Sequence, residues 1–556
     1  MPPNILSSSL QNASFNIIFQ IGCRILTFLL NAFVLRHVSQ AAVGVMNVRL
    51  LLLESTLIFL SREAFRRACL SKTSEHNWPK VVNLVWFTVP LCQVFCLIFG
   101  YIWLNVLSVP STSITEHYTI GVWSIAISCI IEMCCEPVYI MAEAFLFVRL
   151  KVVMQTMLVL VRTVAFTSIV LHQQDAAVLA FSVAQVLSIA AYTVGYYVYF
   201  YFYMKNRLLE RSELNNQTSK GRSSQRKDSI IGTVYDFPFN SLMEFLPSKC
   251  DDEPSIDYKM TKLTWSFFKQ GMLKQILTEG ERYVMTLFSV LSFEEQGVYD
   301  VVNNLGSMAA RFLFRPIEDS AYFYFSQMIR RDLPIPKQDQ KHVAECVLVL
   351  QRLLRCLLAL GLVILVFGQA YSRLLLLLYG GSGLISGTGP LLLKTHCLSV
   401  FLLALNGITE CYALATMDTK QLDRYNYVMV WLSIGFLCIS WAFTKLLGGV
   451  GFILANCCNM AARINHSVQY ISDQYKNTAF NPLHGVMPHR MYCTTLIISG
   501  IVTQLSEVFV SPYSLFGHFI IGAVCFLLTT IAWAFGEREL VQLGLEKWKQ
   551  RTTKSD

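Results

Sequence analysis

Charged and amide side chains recur inside segments that are otherwise apolar. Over residues 14–35, Asn16, Gln20, Arg24, Thr27 and Asn31 fall three or four apart and share one helix face. Residues 43–61 add Asn47, Arg49 and Glu54, followed at once by Arg62-Glu63 and Arg66-Arg67. Residues 119–145 carry Glu132, Glu136 and Glu143 on one face. Residues 264–290 hold Gln270, Lys274, Thr278 and Glu281, and residues 450–470 hold Asn456, Asn459, Arg463 and His466. Residues 297–326 hold Asn304, Ser307, Arg311, Arg315, Glu318 and Asp319.

A charge in hydrocarbon is costly and faces either a partner or a water-filled cavity. The guanidinium fork matches phosphate oxygens, so Arg24, Arg49, Arg62, Lys274 and Arg311 point to contact with an anionic phosphate or pyrophosphate headgroup. Asn16, Gln20, Asn31, Glu54, Glu132, Glu136, Glu281 and Arg315 are the candidate supports. For any one arginine the competing role is structural: Glu132 and Glu136 can neutralise Arg24, Arg49 or Arg62 and lock helices together. The carboxylate stripe can alternatively bind driving protons or cations. The expectation taken here is that Glu136 pairs with an arginine of the first half. Arg315 and Asp319, four apart, are expected as an ion pair.

The elements that must position these groups are membrane helices. The chain has 556 residues, 54% hydrophobic and 15% charged, with mean hydropathy +0.47. Soluble domains are usually about a quarter charged. A helix crosses a bilayer in about 20 residues. About 14 segments meet that need: 14–35, 43–61, 81–106, 119–145, 152–171, 176–204, 264–290, 297–326, 344–372, 391–416, 425–444, 450–470, 491–511 and 515–536. The predicted class is an all-α polytopic membrane protein.

Two stretches carry one pattern in one register. Gly44-Val45-Met46-Asn47-Val48 precedes Phe59-Leu60-Ser61-Arg62, and Gly297-Val298-Tyr299-Asp300-Val301 precedes Phe312-Leu313-Phe314-Arg315. Glycine to arginine is 18 residues in both (62 − 44 and 315 − 297). Gln20, Arg24 and Thr27 before the first copy match Gln270, Lys274 and Thr278 before the second. Such duplication marks a transporter built from two halves. An even number of spans separates the copies, so the repeat is parallel. The expected domains are 1–204, a cytosolic linker 205–262, 263–472, a loop 473–490, two extra helices in 491–536, and a basic tail 537–556.

Lys and Arg concentrate in alternate loops, with Arg36, Arg373 and Lys445 as the exceptions, which predicts both termini in the cytosol. The net charge of +9 is therefore a topology signal and not a nucleic-acid footprint. The sequons at Asn12, Asn216 and Asn465 then fall on the cytosolic side and are expected to stay unmodified. The linker begins basic, runs through Ser, Asn and Gln, and ends near Asp251-Asp252-Glu253, a composition that favours flexibility over much of it. The first span carries Arg24 and no cleavage site, so it is read as retained. The 17 cysteines show no metal-ligand spacing, and neither a metal nor a cofactor is expected. No Walker A, GxSxG, HExxH or GxGxxG stands in its proper context, so the chain is not expected to be an enzyme.

The string Phe19-Gln20-x-x-x-Arg24-x-x-Thr27-Phe28-x-x-Asn31 resembles the opening span of the Rft family, endoplasmic reticulum proteins assigned to translocation of the dolichol-linked oligosaccharide. Phe59-Leu60-Ser61-Arg62-Glu63 and Glu136-Pro137 are similar too. The match is closest over Leu277-Thr278-Glu279-Gly280-Glu281-Arg282-Tyr283, Gln296-Gly297-Val298-Tyr299 and Arg315-Pro316-Ile317-Glu318. Glu281 stands where the family pattern has aspartate, with the charge kept. The family resembles the multidrug/oligosaccharidyl-lipid/polysaccharide exporter superfamily. That implies two six-helix lobes around a central cavity, plus two extra helices. It further implies a mannose-rich glycan on dolichyl pyrophosphate as the partner, with Arg24, Arg49 and Arg62 best placed for the pyrophosphate. A flippase and a non-transporting accessory protein that binds the same glycolipid both remain open at this point; an ion-coupled drug exporter fits the cationic set less well.

Overall fold

Length and hydropathy turn most of the apolar segments into membrane-length helices. The structure is a computed structural model and describes residues 28, 30, 32–71, 76–110, 112–145, 147–173, 176–218, 237–249, 256–308, 310–331, 333–476, 478–484, 486–538 and 542. Among the described residues, ten helices are long and apolar enough to cross a membrane, and no strand occurs. The all-α polytopic class holds. The expected span 14–35 lies outside the described residues except for its last few. The three other expected spans that fall short of the ten, 264–290, 297–326 and 450–470, are helical but more polar or broken.

Packing divides the chain into two units, Met1–Ser289 and Val290–Asp556. Unit one contains α1 (Gln40–Cys69), α2 (Trp78–Val106), α3 (Thr112–Ala144), α4 (Val148–His172) and α5 (Ala177–Thr218). It also takes in α6 (Tyr258–Thr278) and α7 (Gly280–Phe288), which are the segment 264–290 interrupted at Glu279. The repeat-based division at 262/263 therefore differs from the packing division, because α6 lies against the end of α1. Ser39 starts α1, its Oγ accepting from the Ala42 amide at 3.3 Å. Two π-helical turns, Val45–Leu50 and Phe59–Glu63, interrupt α1. α3 packs along α5 and α2, and α4 along α5. α3 runs through Pro137 without ending. Its neighbours hold the helix together where a proline removes one backbone bond. α4 is half-buried to exposed along nearly its whole apolar length, as suits a lipid-facing helix.

Part of the expected flexible linker is a folded strap. α5 continues to Thr218, and residues 237–249 return to cover the end of the unit. Phe237, Phe239 and Phe245 are buried in one cluster with Val81, Val85, Tyr196 and Phe200. Arg207 donates to the Phe237 carbonyl at 2.5 Å and Trp86 Nε1 to the Phe245 carbonyl at 2.7 Å. Asn83 exchanges two bonds with the Ser248 backbone, at 2.8 and 3.0 Å. Linker composition hid this, because three aromatics are diluted among polar residues.

Unit two contains α8 (Phe293–Gly306), α9 (Arg315–Met328), α10 (Gln340–Gly380), α11 (Gly389–Thr416), α12 (Thr419–Leu447), α13 (Gly449–Tyr475), α14 (Arg490–Phe509) and α15 (Leu515–Gly536). A π-helical turn at Ala310–Phe314 leads into α9, with Pro316 in its first turn. α12 and α13 reverse on one residue, Gly448, at φ 60°, where a side chain would be strained. Phe314, Phe325, Leu350, Ile408, Tyr412 and Tyr475 form the core of α9, α10, α11 and α13. α14 and α15 pair with each other and dock on α10. There Tyr492 donates to the Ala359 carbonyl at 2.6 Å, and Tyr371 stacks on His518 with centroids 4.3 Å apart.

The strap predicts its own test. Phe245 is fully buried. Phe245→Ala is expected to cost about 3–5 kcal/mol, the usual range for an aromatic-to-alanine cavity. A fall in melting temperature of the detergent-purified protein checks it; an unchanged melting curve would mean that the strap does not hold the unit together.

Candidate functional site

α1 gathers most of the polar groups of unit one. Near its last turns Arg62 and Arg66 face α3. Glu136 is 1% exposed and accepts from Arg66 through both oxygens, Nε to Oε2 at 2.7 Å and Nη2 to Oε1 at 2.5 Å. Arg62 Nη1 reaches the same Glu136 Oε1 at 3.3 Å and also bonds Glu132. The Arg66 guanidinium lies 3.7 Å from the centroid of the Tyr139 ring. Two carboxylates thus meet two guanidinium groups. The positions follow from helix spacing, since 62 and 66, like 132 and 136, are one turn apart on one face. The Glu136 pairing with a first-half arginine is what the structure shows, and Arg66 is its main partner. Arg66 was named in the sequence only as part of a basic helix end; its position four residues after Arg62 was the available signal.

The rest of the set is distributed. Glu54, two turns before Arg62 on α1, accepts from Gln185 Nε2 at 2.8 Å, and Gln185 Oε1 accepts from Arg162 Nη1 at 2.9 Å. Glu143 pairs with Lys151 at 2.7 Å and not with α1. Arg49 is fully buried; its Nη2 donates to Ser108 Oγ at 2.6 Å and its carbonyl accepts from Trp103 Nε1 at 3.1 Å. α1 is tied to α6 and α7 by Gln275 Nε2 to Ser55 Oγ (3.1 Å), Ser55 Oγ to Glu279 Oε1 (3.0 Å) and the Thr56–Tyr283 hydroxyl pair (2.8 Å). Glu281 is half-buried in the first turn of α7. Asn16, Gln20, Arg24 and Asn31 lie outside the described residues, as does the side chain of Lys274.

In unit two, Arg311 is exposed and folds back on the end of α8, donating to the Asn304 carbonyl at 2.7 Å and Ser307 Oγ at 3.0 Å. Arg315 and Asp319, expected as an ion pair, form none. Arg315 is exposed and its charge acts on Glu318. A second, partly buried clamp joins α11, α12 and α13, of which only Arg463 is singled out by the sequence. Glu410 on α11 accepts from Arg463 Nη2 at 2.5 Å, the Tyr425 hydroxyl at 2.6 Å and Asn406 Nδ2 at 2.8 Å. Lys394 of α11 pairs with Glu507 of α14 at 3.0 Å. A lone acid or base inside an apolar span was the signal for both, and the partner was not readable because it comes from another helix.

The α1–α3 cluster is charge-balanced: Arg62 Nη1 is taken by both carboxylates, while its Nε is buried without a partner. Breaking one partner of a buried pair strands the other, at roughly 3–5 kcal/mol. Glu136→Gln is therefore expected to lower stability or abundance by about that amount, and adding Arg66→Gln should recover part of the loss. Thermal unfolding of the three purified variants checks both halves. Full stability of Glu136→Gln, together with loss of any pH-gradient dependence of transport, would favour a proton-binding carboxylate over a clamp.

Comparison with known proteins places this geometry. The Rft protein family profile matches residues 8–547. A Drosophila melanogaster protein named Man(5)GlcNAc(2)-PP-dolichol translocation protein RFT1 is 44% identical over 98% of both chains. Proteins of the same name from Xenopus tropicalis and Mus musculus are 43% and 39% identical, covering 96% and 99% of both chains. Among solved structures, one titled lipid II flippase MurJ in an inward closed conformation is similar in fold, with TM-score 0.57 over 94% of this chain and 100% of that one, at 11% identity. By the family profile and by full-length relatives well above 30% identity, the chain belongs to the Rft protein family.

Proposed function

We propose that the chain moves a mannose-rich glycan on dolichyl pyrophosphate from the cytosolic to the lumenal leaflet of the endoplasmic reticulum membrane, for protein N-glycosylation. The observation that carries this is the 44% identity, over 98% of both chains, to a relative named for dolichol-linked oligosaccharide translocation. The membrane-length helices supply the setting. The protein acts as a transporter and not as an enzyme; the absence of nucleotide and hydrolase motifs in the sequence supports that reading. Both termini and residues 205–262 face the cytosol, on the strength of the Lys/Arg distribution. The duplicated halves, 1–204 and 263–472, provide the two lobes.

Arg24 is the leading pyrophosphate ligand, supported by the polar face it shares with Asn16, Gln20, Thr27 and Asn31. Arg49, Arg62, Lys274 and Arg311 remain candidates of the same set. Of these, Arg62 would first have to leave its carboxylates and Arg49 its Ser108 contact. Such exchange of partners is a reasonable way for a cation to serve both a helix clamp and a passing anion.

Purified protein in liposomes is expected to move the glycolipid faster than protein-free vesicles, with Arg24→Ala at least about tenfold slower, a loss of about 1.4 kcal/mol in transition-state stabilisation. Equal rates with and without protein, alongside reduced N-glycosylation in Arg24→Ala cells, would instead support an accessory role. In sealed microsomes, added trypsin should cut near Arg222, Arg226 and Lys227. Protection there until detergent is added would reverse the proposed orientation.

A further inference from the structure

Unit two holds a polar pocket of about 780 Å³ that the translocation reading does not use. Three segments wall it: the loop after α9, the junction of α11 with α12, and the last turns of α13. Arg331 builds the wall, donating to the Ala415 and Leu414 carbonyls at 3.0 and 3.2 Å. These are carbonyls at the end of α11, which a cation suits. Asp418 is committed to the start of α12, where it accepts from the Gln421 amide at 2.7 Å.

Asp473 also lines the pocket and is exposed, so with Asp418 two carboxylates stand against Arg330, Arg331 and Arg424, and the excess charge is positive. The other polar groups have capacity to spare. Arg330 and Arg424 line the pocket, are exposed, and have no side-chain hydrogen bond or ion pair with any described residue. Gln474 Oε1 is buried without a donor. His466 and Gln469 offer further hydrogen-bonding groups, and the half-buried Tyr470 adds an aromatic side chain to the lining; Tyr425 is buried and its hydroxyl is taken by Glu410. Two open guanidinium forks favour phosphate oxygens. Carboxamides, an imidazole and an aromatic side chain favour a hydroxylated ring.

The depth of the pocket narrows the source. The apolar helix α11 ends at Thr416, and the first turns of α12, residues 420–426, are polar before its apolar part begins, so the pocket sits where hydrocarbon gives way to headgroups. Tyr427 and Trp431, exposed on α12 with ring centroids 6.3 Å apart, are the aromatic residues expected at that level. Basic pockets at this depth take anionic lipid headgroups. We infer that this pocket binds a phosphorylated polyol, the headgroup of a phosphoinositide-type lipid in the cytosolic leaflet or the same headgroup free in solution. The leaflet rests on the orientation proposed above; the binding itself does not.

The test uses the full-length protein in neutral phosphatidylcholine nanodiscs. The probes are short-chain phosphatidylinositol 4-phosphate, soluble inositol 1,4-bisphosphate, phosphatidylserine and inorganic phosphate. Saturable binding of the phosphoinositide is expected, at least about tenfold tighter than phosphatidylserine. Arg330→Gln with Arg424→Gln should weaken it by about tenfold or more, the loss expected when charge-assisted contacts are removed. The ligand-free melting temperature should stay unchanged, because neither guanidinium holds the fold. Equal binding of inositol 1,4-bisphosphate would assign the free headgroup as ligand, and preference for the lipid would assign the membrane; either supports the pocket. No saturable binding, equal affinity in the double variant, or phosphatidylserine binding as tightly would overturn it. None of these readouts depends on glycolipid translocation, so failure here and failure of the transport reading are distinguishable.

Discussion

A carboxylate placed among apolar helices must be neutralised, and Glu136 sets that requirement for unit one. Water is excluded around it, since its side chain is 1% exposed. Arg66 meets both its oxygens and Arg62 adds a third contact. A bidentate arginine pair has strict geometry, so it fixes the rotation of α1 against α3. Apolar packing alone is tolerant of such rotation. Once α1 is set, Glu54 reaches Gln185 on α5, and Ser55 and Thr56 reach α6 and α7. The specificity of the helix arrangement thus comes from polar contacts, while the apolar faces supply the setting in which those contacts are strong.

Unit two meets the same constraint with different helices. Glu410 on α11 is served by Arg463 on α13, with Tyr425 and Asn406 taking the remaining acceptor capacity. The repeat offset explains why the solution could not be copied. Counting 253 residues forward from Arg62 gives Arg315, and from Arg66 gives Asp319. An acid thus stands where the first copy has the arginine that holds Glu136. Glu318, its neighbour, lies against Gly407, where the missing side chain makes room for the carboxylate. The second copy keeps the local backbone more closely than the charge pattern: π-helical turns precede or include the arginine in both, at Phe59–Glu63 and Ala310–Phe314. Such turns are often found at functional positions.

The sequence by itself determined the class of protein, the helices and the residues at issue. A membrane span is a local property, set by about 20 apolar residues, and the expected spans within the described residues are helical. The duplicated Gly–Arg pattern and the buried charges were legible for the same reason, as was the i, i+4 register that puts Glu132 and Glu136 on one face. The family resemblance rested on short strings whose meaning does not depend on distant parts of the chain.

The tertiary structure alone decided who pairs with whom. Glu136 needs an arginine, and the sequence offered several; only the approach of α1 to α3 selected Arg66 with Arg62. The same holds for Glu143, which took Lys151 from α4, and for Glu410, which took Arg463 from α13. Residues 237–249 read as polar linker, because no local period marks three aromatics that are buried by α2 and α5. The pocket beside Arg330 and Arg424 joins segments from three separate parts of unit two. Ion pairs, straps and pockets depend on distances between helices, and those distances are fixed by the packing of the whole unit and by no single stretch of chain.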